Sequence, residues 1–171
     1  VTDVVLRPAV RGDVPWLVEL ISHPDVSAFL AAVRPSTPDE LLVEIERAER
    51  DPEGYGVVVI EEHGTPRGTI TWERVNRRSR IASVSGLALH PSARGRGIAA
   101  DALDLLVVEL LDARGLHRLQ VEVYGFNERG AAFFERVGFV REGVRRRAYW
   151  RDDRWVDGIL FGLIAEDRTT R

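Results

Sequence analysis

No cysteine occurs among the 171 residues, which excludes disulfides, thiolate metal sites and a cysteinyl-thioester intermediate. Lysine is missing too, so all 24 basic residues are arginine. That removes Schiff-base chemistry and the lysine of a Walker-A phosphate loop. No apolar run approaches the roughly 18 residues of a membrane span, and no membrane role is expected. The opening Val1-Thr2-Asp3-Val4 lacks the basic start and apolar core of a secretory signal, so a cytoplasmic protein is expected. The four histidines, His23, His63, His90 and His117, are scattered without metal-ligand spacing, and no metal is expected. A net charge of −3 argues against a general nucleic-acid binder, although local arginine clusters need weighing.

What is present reads as one folded domain spanning residues 1–171, with no linker, repeat or low-complexity tract. Val4-Val5-Leu6 predicts a short strand, and Trp16, Leu17, Leu20 and Ile21 share a helical face. Residues 23–36, broken by Pro24 and Pro35, predict a looser segment. Thr37-Pro38-Asp39-Glu40 is a capping box with proline at the first helical position. Strand signals follow at Val57–Glu61, Gly68–Val75 and Ile81–Leu89, with turns at Gly64-Thr65-Pro66 and Asn76–Ser79. A helix is predicted from about Gly97, with Gly115 as its cap. Leu119-Val121-Val123 alternates with Gln120-Glu122-Tyr124, a strand. Asn127 opens a helix that stops at Gly138. Phe139–Arg147 and Trp155–Leu163 predict a hairpin around Arg151-Asp152-Asp153. This order implies an α+β domain with a mostly antiparallel sheet.

Between a strand and a helix lies Arg94-Gly95-Arg96-Gly97-Ile98-Ala99-Ala100. Glycines at such a place let backbone N–H groups approach a pyrophosphate, and the helix start adds partial positive charge. Gly95-x-Gly97-x-x-Ala100 also satisfies the dinucleotide fingerprint of the Rossmann fold. That fold needs repeated βαβ units and a first glycine directly after its strand. Here His90–Arg94 intervene and the motif follows a meander.

The stretch from Ser83 to Ala102 resembles the acyl-CoA signature of the GNAT superfamily of N-acyltransferases, with Arg94-x-x-Gly97-x-Ala99 after the strand Leu87-Ala88-Leu89. Asn127 through Phe139 resembles the same family's second motif. Glu142-Gly143-Val144-Arg145 through Tyr149, then Trp155-Val156-Asp157, is similar to the branch of ribosomal-protein N-terminal acetyltransferases of the RimJ/RimL type. The resemblance implies a mixed, mostly antiparallel twisted sheet flanked by helices, with splayed central strands forming an acyl-CoA cleft. It implies acetyl-CoA as cosubstrate and an amine acceptor, a protein N-terminus or a small molecule, acetylated by direct attack in a ternary complex. A homodimer is among the assemblies it admits. The sequence departs from the family pattern at Gly130, usually alanine or serine, and at Phe134, where many members carry a tyrosine that protonates the leaving thiolate.

Acyl transfer to an amine needs a neutral nucleophile, donors for the oxyanion and a leaving thiolate. An α-amino group titrates near 8 and a lysine near 10.4, so a base is required at neutral pH. Strand alternation sets Glu122 with Gln120 and Tyr124, away from the apolar positions, which makes it the leading candidate. Glu142 is the alternative base. Tyr149 or Tyr124 could supply a proton to sulfur. By resemblance, backbone groups of Leu87, Ala88 and Leu89 pair with pantetheine and polarise the thioester. Arg94, Gly95, Arg96, Gly97, Ile98, Ala99 and Ala100 cradle the pyrophosphate, Asn127 contacts pantetheine while capping its helix, and Phe134 forms an apolar wall beside the thiol. Arg145-Arg146-Arg147 with Tyr149 and Trp150 interleaves basic and aromatic residues as nucleic-acid binders do, but a solvated hairpin face accounts for it. The competing class is a catalytically idle acyl-CoA-binding sensor or partner module, which would bind CoA without releasing it from a thioester.

Overall fold

The β-branched runs and tight turns in the middle of the chain fold into a meander on which the rest is assembled. The computed structural model describes residues 3–31 and 36–168. In it β2 (Tyr55–Glu62), β3 (Thr65–Asn76) and β4 (Ile81–Leu89) pair antiparallel in chain order. β1 (Val4–Pro8) lies outside β2. Between β1 and β2 come α1 (Val14–Ser22), the short α2 (Pro24–Ser27) and α3 (Pro38–Arg50). The capping box starts α3 as expected: Thr37 Oγ1 accepts from the Glu40 amide, and Glu40 accepts from the Thr37 amide at 2.8 Å. The loose segment contains α2, while its residues 32–35 lie outside the described residues, as do Val1 and Thr2.

One turn differs from expectation. The β2–β3 reversal is made by His63-Gly64, both at positive φ (51° and 71°), and Thr65 and Pro66 already pair with Glu62 and Glu61. Two-residue hairpins favour positive φ at both positions because that twist matches the strands. Pro66 is tolerated because the register shifts there, between Ile60 and Glu61. Asp152 and Asp153 repeat the device, at φ 50° and 57°, in the second hairpin.

After β4 the chain forms α4 (Ile98–Val107), which widens into a π-helical segment, Val108–Ala113, and crosses to β5 (Arg118–Tyr124). α5 (Glu128–Arg136), β6 (Val140–Arg151) and β7 (Arg154–Ile164) follow. β7 inserts beside β5 and leaves β6 at the edge, giving the order β1-β2-β3-β4-β5-β7-β6. The β4–β5 contact is parallel and the other strand pairs are antiparallel. A Rossmann sheet would need several parallel neighbours, so that rival is discarded.

Alternation along the strands builds a core on each face. Leu103 and Leu106 of α4, Leu110 of the π-helical segment and Phe134 of α5 pack on Val84, Leu119, Val121 and Phe161. On the opposite face Leu17 and Ile45 cover Tyr55, Val57 and Val59. A small third cluster joins Leu20 and Val26 to Ala88 on β4. These contacts set α1 and α2 against the strand end where the cleft opens.

Candidate active site

β4 and β5 pair only over Ile81–Ser83 and Arg118–Gln120. Beyond that point β4 bulges: Gly86 sits at φ +61°, and the register to β3 shifts between Thr69 and Thr71. A bulge bends its strand and ends local pairing. Ala88 and Leu89 therefore keep β3 on one side, and Leu87 to Leu89 face a gap toward β5 on the other. Their side chains are packed away from it, Ala88 with Leu20 and Val26, Leu89 in the main core.

A single 3-10 turn, Pro91–Ala93, leads from β4 into the glycine turn. Gly95 (φ +75°) and Gly97 (φ +83°) both occupy the left-handed region, and no atom lies within 4 Å of where a Gly95 side chain would start. Gly97 is the N-cap of α4; the Ala100 and Asp101 amides donate to its carbonyl at 2.9 and 3.1 Å. Ile98 and Ala99 thus begin the helix with amides that have no intrahelical acceptor. Ile98 is buried and anchors the turn, while Ala99 and Ala100 stay small and half-buried. A concave run of backbone donors without a covering side chain fits a pyrophosphate. The two arginines are engaged elsewhere. Arg94 Nη2 donates to the Asp25 carbonyl at 3.0 Å, and Arg96 Nη2 bonds the buried Glu62 at 2.6 Å. Arg67 reaches the other Glu62 oxygen at 3.2 Å.

Across the gap, Asn127 caps α5, its Oδ1 accepting from the Gly130 amide at 2.9 Å. A Cβ at Gly130 would lie 2.5 Å from Asn127 Nδ2, so glycine here and this asparagine rotamer go together. Phe134 is 5% exposed and sits among Phe133, Phe139 and Phe161, with ring centres 5.2, 5.4 and 6.0 Å away.

On the other face of β5, Glu122, Tyr124 and Tyr149 come together. Glu122 and Tyr149 flank Gly158, whose missing Cβ would lie 2.0 Å from Glu122 Oε1 and 2.9 Å from Tyr149 Cε2. Glu122 Oε1 is buried and has no hydrogen-bond partner among the described residues. Arg145 Nε, its nearest cation, is 3.7 Å away. Burial first, then the neighbouring Glu122 carboxylate, holds the Tyr149 hydroxyl above its ordinary value. Tyr149 meets Tyr124 edge-on, and Tyr124 stacks on Phe126 at 5.2 Å. Tyr124 donates to the Ala31 carbonyl, and Arg151 donates to the carbonyls of Ser27, Ala28 and Leu30. Residues 27–31 are thereby tied to the end of β5 and the end of β6.

Glu142 is not part of this group. Arg118 grips both its oxygens, Nη1 at 2.6 Å, and holds the carboxyl below its usual range. Pairing places Arg118 at the opposite end of β5, opposite Ile164, where Glu142 and the guanidinium together lie over Gly162.

A model described as the Acetyltransferase (GNAT) domain matches residues 3–140. The chain belongs to the GNAT acetyltransferase family. Acetyltransferases of this family take the acetyl group from acetyl-CoA. The GNAT chain is 27% identical to YokL, an SPbeta prophage-derived uncharacterized N-acetyltransferase of Bacillus subtilis, over 47% of its own length and 46% of YokL's. It is 25% identical to a probable N-acetyltransferase of the same organism, YjcK, over 71% of its length and 67% of the relative's. The structure of spermidine N-acetyltransferase from Vibrio cholerae with CoA and spermine overlays with a TM-score of 0.88 at 19% identity, covering 98% of both chains. That likeness shows the shared fold.

Three participants in this GNAT cleft were not identified from sequence: Gly158, Arg145 in its contact with Glu122, and Arg151. Gly158 carried a readable signal, since glycine inside a strand often marks close approach by a neighbour. The arginines did not, because their partners lie on other elements.

Proposed function

We propose that this chain is an acetyl-CoA-dependent N-acetyltransferase acting on a primary amine, with Glu122 as the base. The placement of Glu122 carries this reading: a buried carboxylate oxygen with no hydrogen-bond donor within reach among the described residues lies beside Tyr149, just past the point where β4 and β5 part, an arrangement kept at a cost that proton transfer accounts for. The gap beside Leu87–Leu89 supports entry of the pantetheine arm, whose thioester supplies the activated acetyl group. Backbone groups of Leu87, Ala88 and Leu89 hold the arm as an added strand and polarise its carbonyl. The turn from Arg94 to Ala100 binds the pyrophosphate through its amides, and Asn127 orients the arm from the far wall. Phe134 supports that wall from within the core.

In the ternary complex the amine nitrogen forms the new N–C bond directly. Its proton passes to Glu122, the C–S bond breaks, and sulfur leaves with the electron pair. Tyr149, kept protonated by its surroundings, returns a proton to sulfur. The Arg118 ion pair argues against Glu142 as base, because a carboxylate held below its usual range is a poor proton acceptor.

A protein N-terminus is the first acceptor class, supported by the RimJ/RimL-like stretch from Glu142 to Asp157. A small-molecule amine is the second, supported by the fold shared with the Vibrio cholerae enzyme. Glu122→Gln keeps the shape and removes the basicity. It should cut turnover about 10²–10⁴-fold at neutral pH, with recovery in alkali where the acceptor deprotonates unaided. Glu142→Gln should retain the wild-type pH profile. The steep, pH-rescued loss in Glu142→Gln and not in Glu122→Gln would reverse the assignment. CoA binding with no release from acetyl-CoA by any amine would favour the idle module.

A further inference from the structure

We propose that the acceptor mouth selects by charge, taking a primary amine whose body carries a carboxylate and turning polycations away. This rests on the placement of the amine at Glu122. Along β5 and the residues after it, Glu122, Tyr124 and Phe126 occupy alternate positions, and an arginine of the β6–β7 hairpin stands on each. Arg145 Nε lies 3.7 Å from Glu122, the Arg151 guanidinium 5.3 Å from the Tyr124 ring centre, and the Arg154 guanidinium 5.8 Å from that of Phe126. Arg146 and Arg147 line a hollow beside Asp157 on the same hairpin.

The balance of charge is positive. Residues 145–157 hold five arginines, at 145, 146, 147, 151 and 154, against three aspartates. Asp152 and Asp153 are out at the turn, and Asp157 keeps its charge while accepting from the Arg147 amide at 2.7 Å, so five arginines against three aspartates leave the hairpin an excess of two positive charges. Arg146, Arg147 and Arg154 have no carboxylate partner among the described residues. Guanidinium groups do not titrate in the working range, so the field persists at every pH of interest. A diamine or polyamine docked at Glu122 would bring its second ammonium against these groups. A carboxylate at the same distance would find charge-assisted donors. The overlay on a spermidine acetyltransferase therefore does not extend to acceptor chemistry.

Three acceptors of matched length make the test: 6-aminohexanoate, hexylamine and 1,6-diaminohexane, with acetyl-CoA saturating. The expected order of kcat/KM is carboxylate, neutral, diamine, with about a tenfold spread between the ends at low ionic strength. The spread should shrink in about 1 M salt. Ala-Glu-Ala amide and Ala-Arg-Ala amide, which lack a terminal carboxylate, carry the comparison to peptide acceptors, and the glutamate peptide should have the higher kcat/KM; a preferred arginine peptide would count against the proposal. Arg154→Glu should narrow or reverse the order, with hexylamine reporting any general loss. A diamine or spermidine preferred by the wild type, or an order indifferent to both salt and Arg154→Glu, would overturn the proposal. Absence of turnover with every amine, while CoA still binds, would instead overturn the enzymatic reading on which it rests.

Discussion

Adding one methyl group at Gly158 should disable the site without removing any functional group. The new Cβ would lie 2.0 Å from Glu122 Oε1 and 2.9 Å from Tyr149 Cε2. Ordinary contact begins near 3.4 Å, so the carboxylate oxygen must retreat by about 1.4 Å along that line. A displacement of about 1 Å at a reacting group costs about 10²-fold in rate, and kcat should fall by that order. Stability should change little. The obstructing atoms belong to side chains that can swing aside, and replacing a strand glycine recovers about 0.5–1 kcal/mol of backbone entropy. CoA affinity should be untouched. Release of free CoA can be followed with a thiol reagent against no protein background, because the chain contains no cysteine. The decisive comparison is non-additivity: Gly158→Ala in a Glu122→Gln background should cost little further, since the displaced group is already inert. Wild-type kcat in Gly158→Ala would refute the reasoning, as would a full multiplicative loss in the double variant.

Gly97→Glu should abolish the rise in melting temperature that CoA gives the wild type, because it places a strained left-handed residue and a negative charge in the phosphate cradle; a folded variant with unchanged CoA affinity would move the pyrophosphate elsewhere. Asp13→Asn should cost about 2–3 kcal/mol at neutral pH in urea unfolding, since Asp13 accepts two bonds from Arg7 and one from the Val10 amide. The Arg7 bond holds the Asp13 carboxyl below its ordinary value, so its contribution is complete above about pH 4 and fades as pH falls through the lowered native value. The gap between wild type and variant should therefore close in acid; a gap that persists or widens there would contradict the linkage.

Much of the fold was legible because its signals are local. The Thr37–Glu40 box, the Asn127 cap, the Gly97 start and the alternation that turned Glu122 from the core depend on residues within a few positions of one another. The strand order was not legible in that way. Nothing in Phe139–Leu163 says that the second strand of the hairpin, not the first, will pair with β5. The same holds for the site. Arg96 finds Glu62, Arg151 finds Ser27 and Leu30, and Arg118 finds Glu142 across separations that no periodicity records. The first turn was drawn two residues too far at its end because Pro66 read as a breaker, whereas a register shift lets it sit in the strand.

The insertion of β7 between β5 and β6 has a consequence for how the molecule is made. During synthesis β5 leaves the ribosome with its neighbour on one side only, and β6 follows without a strand to join. Residues 154–164 must then enter between them, satisfying β5 along one edge and β6 along the other. Until they do, two strand edges stand open, which is a hazard for association between nascent chains. The cleft wall at Glu122, which needs Gly158 beside it, can close only after this step. Completion of the sheet and completion of the wall at Glu122 are therefore one event, late and non-local, and dependent on a strand made after everything it must separate.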